Sequence, residues 1–221
     1  STTFTPSATP SPTSIPGLVG YWKFEELSGT AVNDSSGSAN NGALIGAVTR
    51  IGSGASGRAI SLSSASTYVQ VPNSTSLQSA NGFTLSGWVY PTQQNNGTTY
   101  TILNKGGAAP DYALQVNANG YVEFRMADLT PASVTGPKLP LNTWSMVTGV
   151  YDPTDSNNKL LKIYVNGVLV ASQRVTSGIV HYNSSVLYFG YTSNPWLGFL
   201  DEMRIYGRPL SDTEVTGLNG L

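Results

Sequence analysis

The sequence predicts an all-β, antiparallel two-sheet β-sandwich, and three observations carry that expectation. Short β-rich runs recur along residues 17–221 between Gly, Asn and Ser turns. No long apolar stripe of helical period interrupts them, and one Asn-Gly pair stands between two alternating runs, where a hairpin belongs. At 221 residues the chain is long enough to bury one sizeable core.

Taken in order, residues 17–30 read as a strand followed by the turns Asp34-Ser35-Ser36-Gly37 and Asn40-Asn41-Gly42. Strands are expected at Ala59 to Leu62, Tyr68 to Val71, Phe83 to Tyr90, Thr101 to Lys105, Tyr112 to Val116 and Tyr121 to Met126. They continue at Trp144 to Tyr151, Leu160 to Val165, Val168 to Ala171, Val186 to Gly190 and Phe199 to Tyr206. Asn166-Gly167 should form a type I′ turn, because both of its positions must tolerate positive φ. Ser211, three residues before Glu214, makes a capping box for a short helical turn after Pro209. In the closing run, alternation puts Phe199, Asp201, Met203 and Ile205 on the core side and Leu200, Glu202, Arg204 and Tyr206 on the other. A carboxylate in that apolar company needs a partner.

Charged residues are 10% of the chain and the formal net charge is −1, so no basic face is available for a phosphate backbone and nucleic acid is not an expected partner. Cysteine is absent, which excludes disulfides and thiolate metal sites. No apolar run is long enough to span a membrane. Of the first sixteen residues, thirteen are Ser, Thr or Pro and none is charged. Such a segment favours extended conformations and cannot fold alone, so residues 1–16 are read as an arm or linker before a domain at 17–221. Ser1 in place of an initiator methionine fits a mature, processed protein, and the expected location is extracellular or at the cell surface.

The strand at 17–30, with Trp88-Val89-Tyr90-Pro91, Asn142-Thr143-Trp144, Tyr164 to Val168 and the closing segment 198–214, resembles the LamG-like, concanavalin A-like jelly-roll family. The resemblance covers residues 17–221. It implies a jelly-roll fold and leaves function open, since this architecture serves lectins, adhesins, accessory modules and enzymes.

No catalytic constellation is expected. Glu25-Glu26 and Asp201-Glu202 are strand neighbours that point to opposite faces, Asp212 and Glu214 fall in the capped turn, and the single histidine, His181, has no nucleophile elbow beside it. The family resemblance implies a structural calcium ion at a rim, for which Asp34, Asn40, Asn41 and Asp201 are the candidate ligands. The alternative is that Asp34 caps the Ser-Ser-Gly turn and Asp201 accepts backbone N–H groups. Sugar recognition needs aromatic platforms beside amides. Trp196 with Asn194 is the leading candidate, ahead of Tyr182, Tyr191 and Tyr100, and a lid over the sandwich edge is the competing role for Trp196. Trp22, Trp88 and Trp144 are expected to pack.

Two functional readings follow. In the first, the chain is a non-enzymatic subunit of a cell-surface assembly, a filament or adhesin, whose arm docks on a neighbouring copy through the β-prone Thr2, Thr3, Phe4 and Thr5 and the apolar Ile15. In the second, it is a carbohydrate-binding module joined to a secreted polysaccharide-active enzyme.

Overall fold

The computed structural model describes residues 15–79, 81–93, 97–108, 110–154, 157–191 and 193–220. In chain order the strands are β1 Leu18–Trp22, β2 Ala31–Val32, β3 Gly42–Ile45, β4 Thr49–Ile51, β5 Ala59–Leu62 and β6 Tyr68–Val71. Next come β7 Phe83–Pro91, β8 Tyr100–Lys105, β9 Tyr112–Val116, β10 Tyr121–Met126, β11 Leu129–Thr130 and β12 Ser133–Lys138. The last are β13 Ser145–Asp152, β14 Leu160–Val165, β15 Val168–Arg174, β16 Ser177–Gly178, β17 Leu187–Phe189 and β18 Gly198–Tyr206, followed by helix α1, Asp212–Leu218.

Among the described residues these strands form two eight-stranded antiparallel sheets and a small β11–β16 pair. The first sheet runs β15-β14-β13-β7-β18-β5-β4, with β1 also paired to β18, and the second runs β12-β10-β9-β8-β17-β6-β3-β2. Their inner faces bury one core that includes Trp22, Phe24, Phe83, Leu103, Phe124, Phe189 and Met203. The expected two-sheet sandwich is therefore the observed fold. Asn166 and Gly167 have φ of 50° and 76°, as the two-residue turn requires. Ser211 and Glu214 form both halves of the capping box on α1.

Strand β12 escapes the sequence reading because Gly136 and Pro137 interrupt it. It is tolerated because β12 is the edge of its sheet, where a missing N–H breaks no inner ladder.

The alternation read in β18 is corrected by a bulge. Asp201 opposes Trp88 and Arg204 opposes Ser86, so β18 carries one extra residue there, and Glu202 sits at φ 51°. Leu200, Met203 and Ile205 point into the core, while Phe199 and Asp201 share the outer face with Arg204 and Tyr206. Gly87 makes this possible, since a Cβ there would run into the sulfur of Met203.

A second apolar cluster lies on that outer face under α1: Ile15, Met146, Val150, Tyr164, Tyr206, Leu210, Val215 and Leu218. Ile15 is 3% exposed, and the Pro16 carbonyl accepts a 2.8 Å bond from Arg208 Nε. This corrects the expected boundary and the inter-subunit role of Ile15, which seals its own sandwich. Thr2, Thr3, Phe4 and Thr5 lie outside the described residues. Ile15→Ala is therefore expected to lower stability by about 2–4 kcal/mol in urea unfolding. An unchanged midpoint would mean that Ile15 belongs to the arm.

Candidate functional site

Directly opposed residues of antiparallel strands share a face of the sheet. Across the second sheet the register joins Ala43, Gln70, Tyr188, Asn104, Ala113 and Arg125 in one row, and Thr101, Gln115 and Glu123 in the next. Their neighbours Val69, Val71, Leu187, Phe189, Leu103 and Leu114 point into the core, so both rows stand on the outer face. Tyr68 joins them from β6. Its ring lies 5.8 Å from that of Tyr188, and Tyr188 lies 5.1 Å from Tyr191, all three half-buried.

Local hydrogen bonds hold this face in shape. Asn104 Nδ2 donates to the Gly107 carbonyl at 3.0 Å, and Gly107 N donates back to Asn104 Oδ1 at 2.9 Å. A Cβ on Gly107 would stand 3.2 Å from the Tyr191 hydroxyl, so the loop closes against that ring. Gln115 Nε2 donates to Glu123 at 2.6 Å. Asn41, Gly42, Ala43, Ile45, Gln70 and Pro72 line a cleft of about 350 Å³ at the β3–β6 end, within the range of small-ligand sites. Burial, then its tyrosine neighbours, pushes the Tyr188 hydroxyl pKa upward, keeping it neutral. Tyrosine rings offer an apolar platform, and amide and carboxylate groups around them offer paired hydrogen bonds.

The aromatic candidates from sequence divide sharply. Tyr191 lies on this face, and Asn194 closes the adjoining loop, its carbonyl accepting from Thr101 N at 3.0 Å. Trp196 and Tyr100 are corrections: they are 1% and 2% exposed and belong to the core, and Trp196 Nε1 donates to the Phe199 carbonyl at 3.2 Å. Tyr182 packs against Tyr112, and its hydroxyl is taken by the Ser79 carbonyl. Tyr188 and Tyr68 were missed. Both precede an inward residue in a recognised strand, so their outward parity was readable, but the pairing of β6 with β17 was not.

Asp34 accepts from Tyr21 N, Ser36 N, Ser36 Oγ and Asn40 N, all at 2.8–2.9 Å, and Asn41 Oδ1 accepts from Asp34 N. Asn40 Nδ2 donates to the Val19 carbonyl and to Ser76 Oγ. Asp201 accepts from Ser56 N and Glu202 N. The groups converging on both carboxylates are donors, the arrangement of a turn cap and a satisfied buried acid. Among the described residues no three His, Cys, Asp or Glu side chains gather to hold an ion.

Beside Asp201, Glu202 accepts from the Tyr21 hydroxyl and from Arg204, whose guanidinium lies 4.3 Å from the Tyr21 ring centroid. Ion pairing and burial commit Glu202 to this structural network. Elsewhere, buried Lys105 donates to Asp111 and to the Asn183 and Ser185 carbonyls, anchoring the loop before β17. His181 is exposed beside Asp128.

Burial raises the Asp201 pKa to about 7, with nearby Glu202 and Glu25 adding to the shift against its two backbone donors. An acid whose folded pKa is raised stabilises the fold while protonated and loses that contribution as pH climbs from its unfolded value through about 7. Between about pH 4 and pH 7.5 the unfolding free energy of the native chain should fall relative to Asp201→Asn, by up to about 4 kcal/mol. Parallel pH profiles in urea unfolding would contradict this.

Several solved structures share the fold. Domain 4 of AbnA, a GH43 extracellular arabinanase from Geobacillus stearothermophilus solved with arabinotriose, is 23% identical over 91% of this chain and 98% of that one, with a TM-score of 0.70. The binding domain of Paraclostridial Mosquitocidal Protein 1 is 20% identical, over 92% of this chain and 52% of that one, with a TM-score of 0.69. The receptor binding domain of a botulinum neurotoxin C/D mosaic serotype is 20% identical, over 90% and 50%, at 0.72. The chain thus spans about half the length of these toxin domains. No curated protein matches the sequence. A family model does match, over residues 63–216, and with the two-sheet topology it establishes that the chain belongs to the concanavalin A-like lectin/glucanases superfamily.

Proposed function

We propose that this chain is a non-enzymatic, extracellular carbohydrate-binding module that holds a neutral oligosaccharide on the outer face of its second sheet. The observation that carries the reading is the tyrosine row Tyr68–Tyr188–Tyr191 set beside the half-buried Gln70, Gln115 and Glu123 on one face, with Asn104 bracing the Gly107 loop beneath it. Its flat, uncharged rings suit the apolar face of a sugar, and the amides beside them suit its hydroxyls. The likeness to an arabinanase domain solved with arabinotriose supports the ligand class and makes that trisaccharide the first probe. The reading does not rest on calcium: Asp34 and Asp201 accept hydrogen bonds from neighbouring donors in this arrangement. Among the described residues no helix is long and apolar enough to cross a membrane.

A second reading, a filament or adhesin subunit at the cell surface whose arm docks on a neighbouring copy, is favoured by one observation. Val168, Leu169 and Val170 at the start of β15 are 64%, 42% and 39% exposed.

Calorimetric titration with arabinotriose and a panel of neutral oligosaccharides tests the first reading. Tyr188→Ala should weaken binding by about 1.4 kcal/mol, roughly tenfold in Kd, with the circular dichroism of the folded chain retained. Trp196→Ala should instead cost about 3–5 kcal/mol of stability, as deletion of a buried indole does. Binding that survives Tyr188→Ala, or none to any neutral glycan, would remove the proposed site.

A further inference from the structure

A sheet edge is a row of unpaired N–H and C=O groups that natural proteins blunt with charge, proline or brevity. Three edges of the two large sheets are blunted in this way. Strand β2 has two residues, β4 has three with Arg50 paired to Glu26, and β12 carries Thr135, Pro137 and Lys138. Strand β15 is longer, with seven residues that pair only with β14 among the described strands; its bulge and Arg174 blunt its middle and far end and leave the first residues open. Its first three residues are the exposed Val168, Leu169 and Val170, whereas its second half is the polar Ser172-Gln173-Arg174.

That apolar half is held rigidly. Asn166 Oδ1 accepts from Met146 N at 2.9 Å, and the Gly167 carbonyl accepts from Thr216 Oγ1 at 3.1 Å, which pins the hairpin to β13 and to α1. Val170 is the extra residue of a bulge, since Ile163 opposes Ala171 and Tyr164 opposes Leu169. A bulge of this kind limits a new strand to a few residues.

Building on the second reading above, we infer that the Val168–Val170 edge of β15 is the acceptor for residues Thr2–Thr5 of a second copy, added as a short extra strand. The arm's composition fits the edge. Residues 1–14 carry no charge, Thr2-Thr3-Phe4-Thr5 is the β-prone part, and Phe4 is its single aromatic. The length of chain before Ile15 puts a second copy within reach. Ile15 packs beside Met146 of β13 and Tyr164 of β14, so its own β15 lies one or two strand spacings away, about 5–10 Å. Between Thr5 and Ile15 stand Pro6, Pro10 and Pro12. A spacer of this length can reach at most about 31 Å as an extended polyproline-like segment, enough to meet another molecule. Arm into edge is a head-to-tail contact that leaves a free edge on one end of each pair, so it propagates into open chains.

Sedimentation velocity over a range of concentrations tests this with the full chain, a variant lacking residues 1–14, and Val168→Lys. The full chain should associate, and both variants should sediment as monomers with unchanged circular dichroism. A labelled peptide of residues 1–14 should bind the truncated variant and bind at least tenfold more weakly when Val168→Lys is added. Association that requires the arm but ignores Val168→Lys would overturn the β15 assignment and leave the arm reading standing. Association that persists without residues 1–14, or a full chain monomeric at every concentration, would overturn both.

Discussion

The fold turns on β18. This strand pairs with β7 along one side and with β5 and β1 along the other, so it joins the two ends of the chain in the middle of the first sheet. Its bulge at Asp201–Glu202 divides the work of its two faces: Leu200, Met203 and Ile205 enter the core, while Arg204 and Tyr206 turn outward. The extra residue brings Glu202, Arg204 and the Tyr21 hydroxyl into one buried hydrogen-bonded group. A buried ion pair of this kind returns little net stability against well-packed apolar side chains, but removing one member strands the other. The network therefore specifies how β1 sits against β18 more than how tightly it does so.

The two outer faces of the sandwich follow different rules as a consequence. On the first sheet, α1 and Ile15 cover one end with a second apolar cluster, and at the other Tyr90 stacks on Phe199 while Trp144 meets both rings at an angle. On the second sheet no helix intervenes among the described residues, and the outward positions mix tyrosines, amides and charged groups with the small or aliphatic Ala43, Ala113 and Ile45. The core thus positions the candidate glycan face directly. Leu187 and Phe189 anchor Tyr188 from below, and Val69 and Val71 do the same for Gln70.

Much of the architecture was legible in the sequence because it rests on local signals. Strand alternation, the Asn166-Gly167 turn and the Ser211–Glu214 capping box each state their own structure within a few residues. What was hidden depends on distant partners. The bulge in β18 inverts the parity of Phe199 and Asp201 and shows only in the register against β7. Ile15 sits among Ser, Thr and Pro and reads as linker until α1, some 200 residues later, closes over it. Trp196 follows a polar loop and looked exposed, yet the chain turns it into the core one residue before Leu197 leads into β18. Tyr68 and Tyr188 are separated by 120 positions, and only the β6–β17 pairing brings their rings together.

Where a bound oligosaccharide perturbs the protein decides whether the Tyr68–Tyr188–Tyr191 face meets the ligand. Arabinotriose, followed by other neutral oligosaccharides, should be titrated into the isotope-labelled chain while backbone amide and tyrosine ring resonances are followed by NMR. Saturable shifts are expected only at outward-facing residues of β6, β8, β9, β10 and β17 and at Tyr191 just beyond β17, with Tyr68, Tyr188 and Tyr191 strongest. Saturable shifts centred on the first sheet, or on the Tyr90–Trp144–Phe199 stack, would contradict that expectation.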